Sequence, residues 1–590
     1  MMTRARIVLA SLVTATTTAG AAPSVHTNIG EVRACYPLGG GDVLVGTGGG
    51  LVRVDARGTT RKVWTAVDGL PGTRIDSISR IGDTLWIGTE TGAAAVAIDG
   101  TTLSIARTAD TRSVRDLAKL DGVTYVATWE GGVKKLAADG SLTAVPFRGG
   151  TGTRSTTAIQ NRSRISSLAI ADGALWAGTA GGLYKLRAGS LELMTIETGV
   201  NEVTSLYGDG AKLWIATTAG LFSREGAAVR GYGGGDVRRV TRVDGEITAA
   251  GLGGRVQRVD RGRLVATTIP DALVMTQAIA ERDGAACAGG LDGLWIRERT
   301  AATWIAASRV SGPPANDISA LAVDGERLWV GTFDHGLALF ENGTWKQFAH
   351  AKIDHRINAL LVEHRAGTSS RLWIATATGL SIVDGTAVSQ LGKRDGLPAR
   401  GVLSLAQLRD GRILAGSMHG AAILGAGRPI AIGTKQNLEA TNVWAVAEGE
   451  DGSIWLGTTT GLYRGRADDT EWTRYSVATG HLRDDWVMAL APRGSAIWVG
   501  TYKAGVTRFD VTPEVVTATP LGGGWINPGG LAWHGDTLYA STMEGVRTGD
   551  GARTAWASLR GTPGKDTTAT ARIGETLWIS TRRGLVARTP

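Results

Sequence analysis

The sequence predicts an all-β protein in which fourteen four-stranded blades form two seven-bladed β-propellers. Three observations support this. A phrase of the type LWIGTxxGL recurs fourteen times, most copies lie 38 to 44 residues apart, and each copy sits among four short strand-like runs. A repeat near 40 residues with four strands is typical of a propeller blade. Since one ring usually holds four to eight blades, fourteen copies indicate two rings.

Composition agrees with this architecture. The 590 residues include 85 glycines and only 15 prolines, and 43% are hydrophobic, which is too apolar for a disordered chain and too glycine-rich for a helical one. Nineteen Trp against six Phe suggest that Trp belongs to the repeat. The copies align on a small-residue pair at Gly46-Thr47, Gly88-Thr89, Ala127-Thr128, Gly178-Thr179, Ala216-Thr217, near Ala249-Ala250, and at Gly289-Gly290, Gly331-Thr332, Ala375-Thr376, Gly416-Ser417, Gly457-Thr458, Gly500-Thr501, Ser541-Thr542 and Ser580-Thr581.

The fourth copy shows how each strand of a blade is predicted. Ile165–Ile170 is short and apolar, as expected of an innermost strand, and Asp172-Gly173 suits a two-residue hairpin turn. The second strand, ALWAGT, is apolar on both faces because neighbouring blades cover it. The third begins at Gly182, which fits a three-residue turn closed by a left-handed glycine, and Leu191–Ile196 is the outer strand. We expect the Trp to fill space between sheets and the small pair to let backbones approach near the axis.

The domain prediction takes residues 1–21 as a signal peptide, 22–300 as the first propeller and 301–590 as the second. The chain ends after the third strand of blade fourteen, so that blade needs an outer strand from elsewhere. In the contiguous division, Ser24–Ile29 seals the first ring and Thr303–Ala307 the second. In the alternative, the N-terminal segment seals blade fourteen, the first and last blades share a ring, and the 51-residue spacing before the fourth copy marks a crossover.

The N-terminus predicts export to the periplasm or the exterior. Arg4 and Arg6 precede the short apolar run Ile7–Val13, and Ala19–Ala21 fits a small-x-small cleavage site. No other run is long enough for a membrane span, and no clustered Lys/Arg patch indicates nucleic-acid binding. Export makes a Cys35–Cys287 disulfide possible, but two scattered cysteines in small-residue strands favour buried free thiols.

The phrase LWIGTxxGL, with DGLP loops at Asp68–Pro71 and Asp395–Pro398, resembles the two-component regulator propeller repeat. That resemblance implies the tandem seven-bladed sensor region of bacterial hybrid histidine kinases, several of which recognise carbohydrate fragments. It therefore implies a sensing or binding role. Because no immunoglobulin-like module, membrane helix or kinase follows blade fourteen, we expect signalling through a separate partner such as a sensor kinase.

Candidate ligand residues lie in the turns between second and third strands, on the expected ligand face of a propeller. Three turns carry an extra residue and open with an aromatic side chain, which suits stacking on a sugar ring. With other bulky or polar turns, the candidates are Trp129, Glu130, Phe333, Asp334, His335, Met418, His419, Tyr502, Lys503, Arg582 and Arg583, and Met543-Glu544 is a further polar turn. The insertion Phe147–Arg164 is interpreted as a flexible loop or a basic lip over a binding face.

The predicted function is a non-catalytic ligand-binding or sensing protein, with carbohydrate or another small ligand as partner. A protein-interaction scaffold and a polysaccharide hydrolase or lyase are the alternatives. No cofactor or metal is expected, since the eight histidines lack metal-ligand spacing and no nucleophile motif is present. For an enzyme, Asp76, Asp317, Asp354 and Asp485 near blade-connecting loops are the candidate carboxylates.

Overall fold

The computed structural model describes residues 23–589, apart from 149–155, 197–201, 271–274, 292, 300, 302, 309–311, 366–369, 440–441 and 513–514. Within these residues the chain forms fourteen sheets, thirteen of four strands and one of five, and one α-helix, Thr156–Ser163. The predicted fold class is confirmed. None of the helices described there is long and apolar enough to span a membrane. The predicted signal peptide, residues 1–21, lies outside the described residues.

Ring one is built from blades one to seven, whose inner strands contact each other in chain order, with the seventh against the first. From inner to outer strand, the bounds are Val32–Pro37, Val43–Thr47, Gly50–Val54, Thr60–Trp64; Ile75–Ile81, Thr84–Thr89, Gly92–Asp99, Thr102–Asp110; Val114–Leu120, Val123–Thr128, Gly132–Leu136, Leu142–Ala144; Ile165–Ala171, Ala174–Thr179, Gly182–Arg187, Ser190–Met194; Val203–Asp209, Lys212–Thr217, Gly220–Glu225, Ala228–Gly233; Val237–Val243, Glu246–Gly251, Val256–Asp260, Arg263–Ala266; and Thr276–Arg282, Ala285–Gly290, Gly293–Arg297, Ile305–Ala306.

Ring two is built from blades eight to fourteen and closes in the same way. The bounds are Ile318–Asp324, Arg327–Thr332, Leu337–Glu341, Thr344–Phe348; Ile357–Glu363, Arg371–Thr376, Gly379–Asp384, Ala387–Leu391; Val402–Gln407, Ile413–Ser417, Gly420–Leu424, Ile430–Ile432; Val443–Glu448, Ile454–Thr458, Gly461–Gly465, Thr473–Tyr475; Val487–Arg493, Ala496–Thr501, Gly505–Val511, Val516–Gly522; Ile526–His534, Thr537–Thr542, Gly545–Gly549, Ala557–Leu559; and Thr567–Ile573, Thr576–Thr581, Gly584–Arg588, Ser24–His26. Short 3-10 helices lie at Gly39–Gly41, Ala66–Asp68, Lys393–Asp395 and Thr434–Gln436.

The N-terminal strand belongs to ring two. Ser24–His26 pairs antiparallel with Gly584–Arg588 and supplies the outer strand of blade fourteen. Ile305–Ala306 pairs with Gly293–Arg297 and completes blade seven. The expectation that Ser24–Ile29 seals the first ring and Thr303–Ala307 the second was therefore wrong. The N-terminal strand therefore seals blade fourteen, as the alternative proposed. The first and last blades nevertheless lie in different rings.

The small residue of the repeated phrase lets the second strand of one blade approach the inner strand of the next. A Cβ placed on Gly331 would lie 2.6 Å from Ile357 Cγ2 of the next blade. The same contact recurs at the closure of ring one, where a Cβ on Gly289 would lie 2.2 Å from Val32 Cγ1. Real Cβ contacts are not this short, so these two positions require glycine, in agreement with the predicted close approach of the backbones.

The threonine of the phrase holds the turn that follows it. Thr332 Oγ1 donates to Gly336 O at 2.9 Å and accepts from His335 N at 3.0 Å. The buried hydroxyl thus satisfies groups that the tight turn would otherwise leave without partners. Thr179 pairs directly with Gly182, so the three-residue turn predicted there was wrong. That longer turn follows Thr128, Thr332 and Thr501 instead, and its closing glycines have φ of 71°, 84° and 77°.

The tryptophan of the phrase packs between blades as expected. Trp176 is 4% exposed and packs against Leu206, Leu213 and Phe222 of the next blade. Eight of the fourteen blades have Trp at this position, and each blade presents its second strand to its neighbour.

A disulfide joins Cys35 in the inner strand of blade one to Cys287 in the second strand of blade seven. It bridges the closure of ring one, across 252 residues of sequence. The preference for buried free thiols was therefore wrong: the spacing suggested two scattered cysteines, but closing the ring brings the first and last blades together.

The described part of the insertion before blade four contains a strand and a helix. Phe147–Arg148 pairs parallel with Ser190–Met194 as a fifth strand, and the helix Thr156–Ser163 contacts the third strand of blade three and the second strand of blade four. The 51-residue spacing is thus an addition to ring one and does not mark a crossover between rings.

Candidate functional site

A β-bulge in the inner strand of every blade aims one side chain at the ring axis. In blade one, Val32 pairs with Thr47 and Ala34 with Gly46, so Arg33 is the extra residue. The same one-residue shift in pairing register recurs in the other blades, except that the shift after Ile526 in blade thirteen is longer. Bulges redirect side chains in this way, and here they give each ring a set of residues around its centre.

In ring one the bulged residues form what we call the axial funnel, a cavity of about 360 Å³. All seven line it, and they are Arg33, Asp76, Arg115, Ser166, Thr204, Arg238 and Gln277. In ring two the corresponding residues carry no charge: Ser319, Asn358, Leu403, Trp444, Met488, Asn527 and Thr568. The two rings therefore share a scaffold, but the axial residues are mostly charged or polar in ring one and uncharged in ring two.

One buried carboxylate organises the funnel. Asp76 is 3% exposed and accepts from Arg33 at 2.9 Å, Arg74 at 3.0 Å and Arg115 at 3.3 Å. Burial acts to raise the pKa of Asp76, but the three guanidinium groups outweigh it and lower the pKa. Asp76 therefore remains ionised and is unsuited to donate a proton.

The position after the bulge is small in most blades, but ring one breaks this rule twice. Asp116 and Arg239 occupy it in blades three and six, and both are partly buried. Asp116 accepts from Leu117 N at 2.8 Å and Leu168 N at 2.9 Å. Burial raises the pKa of Asp116 and lowers the pKa of Arg239, since it disfavours the charged form of each group.

The predicted candidate turns lie beside the segment that leads into the inner strand of the same blade. Phe333 N donates to Asp317 O at 3.0 Å, Tyr502 N to Trp486 O at 2.9 Å, and Arg582 N to Asp566 O at 3.0 Å. Turn residues and lead-in residues therefore share one face of each ring, which we call the turn face.

Two candidate turns of ring two meet at its closure. The Arg582 guanidinium lies over the Phe333 ring at 5.2 Å and donates to Asp317 at 2.7 Å. Phe333 is 51% exposed, and the exposed His335 contacts Asp334, with 2.5 Å between Nδ1 and Oδ1. This group joins blades fourteen and eight.

A second group contains three aromatic rings. Tyr502 lies 4.8 Å from Trp486 and 5.5 Å from Trp525, measured between ring centroids. Trp486 is 37% exposed and Trp525 47% exposed. We call these three residues the aromatic platform. Lys503 borders it, with its backbone N donating to Asp484 at 2.7 Å.

The remaining candidates lie apart from these groups. Met418 and His419 occupy the turn of blade ten, where Met418 is 41% exposed. In ring one, Trp129 lies under Arg115 at 5.0 Å beside the funnel, with Glu130 exposed next to it. The structure thus separates the predicted set into several locations.

Arg583 has a structural contact across the rings. Its Nε donates to Glu90 at 3.2 Å, and nearby Thr73 donates to Pro563 O at 2.5 Å. Glu90 and Arg583 both belong to turns between second and third strands, so the turn faces of the two rings meet at this edge.

Sequence reasoning missed the funnel and two of the three platform residues. Trp486 and Trp525 lie in lead-in segments, which carry no repeated pattern. The bulged position is nevertheless recognisable in the sequence, since an arginine follows valine in VRA, VRD and VRR at Arg33, Arg115 and Arg238. Aligning the inner strands at that position would have revealed the charge of ring one.

The four carboxylates considered for catalysis are bound by neighbouring groups. Asp317 accepts from Arg582, and Asp485 accepts from Val477 N at 2.7 Å. Burial acts to raise the pKa of Asp354, but hydrogen bonds from Arg356 outweigh it and lower the pKa. In the described part of the chain, no group of three or more His, Cys, Asp or Glu residues is placed to hold a metal ion.

Comparisons with known proteins extend the fold assignment. No family model and no curated protein sequence matches the chain. The chain is similar to PorZ, described as an essential bacterial surface component of the type-IX secretion system of Porphyromonas gingivalis, with a TM-score of 0.70, 13% identity and coverage of 96% of this chain and 87% of PorZ. It is also similar to an ancestral GH74 enzyme, with a TM-score of 0.66, 12% identity and coverage of 96% and 98%.

A third similarity is weaker. The extracellular domain of a putative hybrid two-component system from B. thetaiotaomicron matches with a TM-score of 0.39 and 16% identity, over 95% of this chain and 82% of that one. At these identities the two stronger matches support the tandem-propeller fold and leave function to be argued from the site.

Proposed function

We propose that the protein is an exported, non-catalytic binding protein that recognises carbohydrate on the turn face of ring two. The aromatic platform carries this proposal. Three adjoining rings, two of them more than a third exposed, are costly to leave in water and suit the apolar face of a sugar ring. Asp484 and Lys503 at its border supply groups that hydrogen-bond sugar hydroxyls.

Export and signalling through a partner remain part of the proposal. A ring-closing disulfide suits an oxidising compartment. The resemblance of the repeat to two-component sensor propellers supports a sensing role, with a separate membrane kinase as the output.

The test is a thermal-shift screen of the mature protein against neutral polysaccharide fragments, followed by calorimetric titration of each hit. A ligand that binds only the folded state raises the melting temperature. Removing one stacked ring in Trp525→Ala is expected to cost about 1–2 kcal/mol, or roughly five- to thirty-fold in Kd. Ile430→Ala is the matched control, because it removes an exposed apolar side chain from an outer strand of the same ring.

The outcomes separate clearly. Weaker binding by Trp525→Ala and Tyr502→Ala, with Ile430→Ala unchanged, supports the platform. If a hit binds both platform variants as tightly as the unaltered protein, the platform is not the site.

A protein-interaction scaffold is the second candidate, because exposed apolar side chains continue along the same face at Phe333 and Met418. Under that proposal no fragment raises the melting temperature, and a partner captured from the periplasmic fraction is lost in Trp525→Ala. A catalytic role has weaker support: Asp76 and Asp354 have lowered pKa values, which suit neither to be a general acid.

A further inference from the structure

The axial funnel of ring one is lined by more arginines than carboxylates. Its lining includes four arginines, Arg33, Arg115, Arg238 and Arg239, against two carboxylates, Asp76 and Glu202. Glu31 at the rim contacts Arg33, and Asp236 lies 2.6 Å from Arg238. Glu31 and Asp236 therefore pair with Arg33 and Arg238, whereas the one ion pair of Arg115 among the described residues is with Asp76.

Asp76 is shared among three arginines and cannot accept from all of their N–H groups. Its Oδ1 accepts from both Arg33 and Arg115, and its Oδ2 accepts from Arg74. A guanidinium group has five N–H donors. Among the described contacts, Arg115 donates once, to Asp76 at 3.3 Å, and its buried Nε has no hydrogen-bond partner. Arg115 lines the cavity, and among the described residues its terminal nitrogens donate only to Asp76.

The charges around Arg115 also favour binding of an anion. Burial lowers the pKa of Arg115; Asp76 opposes this, and the neighbouring Arg33, Arg74 and Arg239 lower it further. Burial also lowers the pKa of Arg239, which Asp116 opposes. An added anion would relieve repulsion between these guanidinium groups, because opposite charges attract more strongly near partly buried groups than in bulk water.

The funnel also has apolar walls and a limited size. Val203, Met275 and the Trp129 ring line it beside the arginines. Its volume of about 360 Å³ lies at the small end of the range for small-molecule sites. At its rim, Arg164 lies 5.9 Å from the Trp129 ring centroid, at the end of the inserted segment. The site therefore suits a small molecule with one anionic end and one less polar end.

We propose that the axial funnel of ring one binds the carboxylate of a small organic acid, with Arg115 as its principal donor and Trp129 against the rest of the ligand. Planar guanidinium groups pair with carboxylates through two parallel hydrogen bonds. This site lies in the other ring from the aromatic platform and does not depend on the proposed carbohydrate function. Both an acidic sugar and an aliphatic acid carry the required group.

The experiment is calorimetric titration of the full mature chain with glucuronate, butyrate, glucose and inorganic phosphate at low salt. We expect glucuronate or butyrate to bind and glucose not to bind, with affinity falling as salt is added. Arg115→Gln and Gln277→Glu are each expected to weaken binding at least about ten-fold, the second by placing a negative charge in the funnel without truncating a side chain. Arg80→Gln is the charge-matched control, since Arg80 lies on the same ring and pairs with the exposed Asp83.

Each outcome bears on the proposal. Binding of either carboxylate that is lost in both funnel variants and kept in Arg80→Gln supports the proposal. The acid that binds more tightly shows whether the ligand is an acidic sugar or an aliphatic acid. Absence of binding by both carboxylates overturns the proposal, as does binding that survives both funnel variants. Phosphate binding alone overturns the assignment to carboxylates. Trp525→Ala should bind the acid normally, which separates failure of this site from failure of the platform.

Discussion

Acidification is expected to weaken the seal of ring two through His26. This residue lies in the N-terminal strand and packs against Trp578 at 5.1 Å, Phe340 at 5.2 Å and Trp345 at 5.8 Å between ring centroids. Trp345 Nε1 donates to His26 Nδ1 at 3.4 Å, which requires that nitrogen to be unprotonated. Only neutral His26 can accept this hydrogen bond, which links blade fourteen to blade eight.

The magnitude follows from the pKa of His26. Burial lowers it to about 4 from the ordinary value of 6.5. Between these values the unfolded chain binds a proton that the folded chain does not, so stability falls as pH falls from about 6.5 towards 4. At about pH 5 this difference costs ring two about 2 kcal/mol relative to neutral pH.

The assay is urea denaturation followed by tryptophan fluorescence, at about pH 7.5 and about pH 5, for the unaltered protein and His26→Phe. Phenylalanine keeps a ring in the aromatic cluster and cannot titrate, so the variant should lose about 2 kcal/mol less stability on acidification. Other titrating groups contribute equally to both proteins and cancel. Equal losses in the two proteins would refute the assignment of a buried neutral histidine to the seal.

Three further predictions concern the scaffold. Replacing Cys35 and Cys287 together by serine is expected to lower the unfolding free energy of ring one by about 2–4 kcal/mol, since the closed loop spans 252 residues; an unchanged denaturation midpoint under oxidising conditions would contradict this. Gly289→Ala should destabilise ring one by about 1–3 kcal/mol because the new Cβ meets Val32, whereas Gly427→Ala, with open space around it, should be nearly neutral in the same melt. Thr458→Val removes a buried hydroxyl that bonds Gly461 O and Thr460 N, and should cost about 1–3 kcal/mol in urea denaturation; no measurable loss would show that the turn does not depend on this clamp.

The sequence was sufficient for the blades because each blade repeats the same local physics. The Gly-Thr pair, the hairpin glycines and the buried Trp all act within a blade or between neighbours, so a 40-residue period exposes them. The N-terminal seal was less accessible: Ser24–His26 is three residues long and acquires its identity as a strand only when it meets Gly584–Arg588.

The candidate site was harder to predict than the fold, since it is assembled across blades. Tyr502 was recognisable as an unusual turn residue, but Trp486 and Trp525 join it only because lead-in segments and turns share a face. The charge of the funnel was hidden for a related reason. In a single inner strand, Arg115 resembles an exposed residue, and only the bulge directs it to the axis with Arg33 and Arg238.

Fluorine NMR of the fluorotryptophan-labelled protein tests the central claim most directly. The chain has 19 tryptophans, and Trp486→Phe and Trp525→Phe would assign the two platform resonances. On titration with a neutral fragment identified by the thermal-shift screen, these two resonances should move while that of the buried Trp455 stays fixed. Movement of other tryptophan resonances with no change at Trp486 and Trp525 would contradict carbohydrate binding on the turn face of ring two.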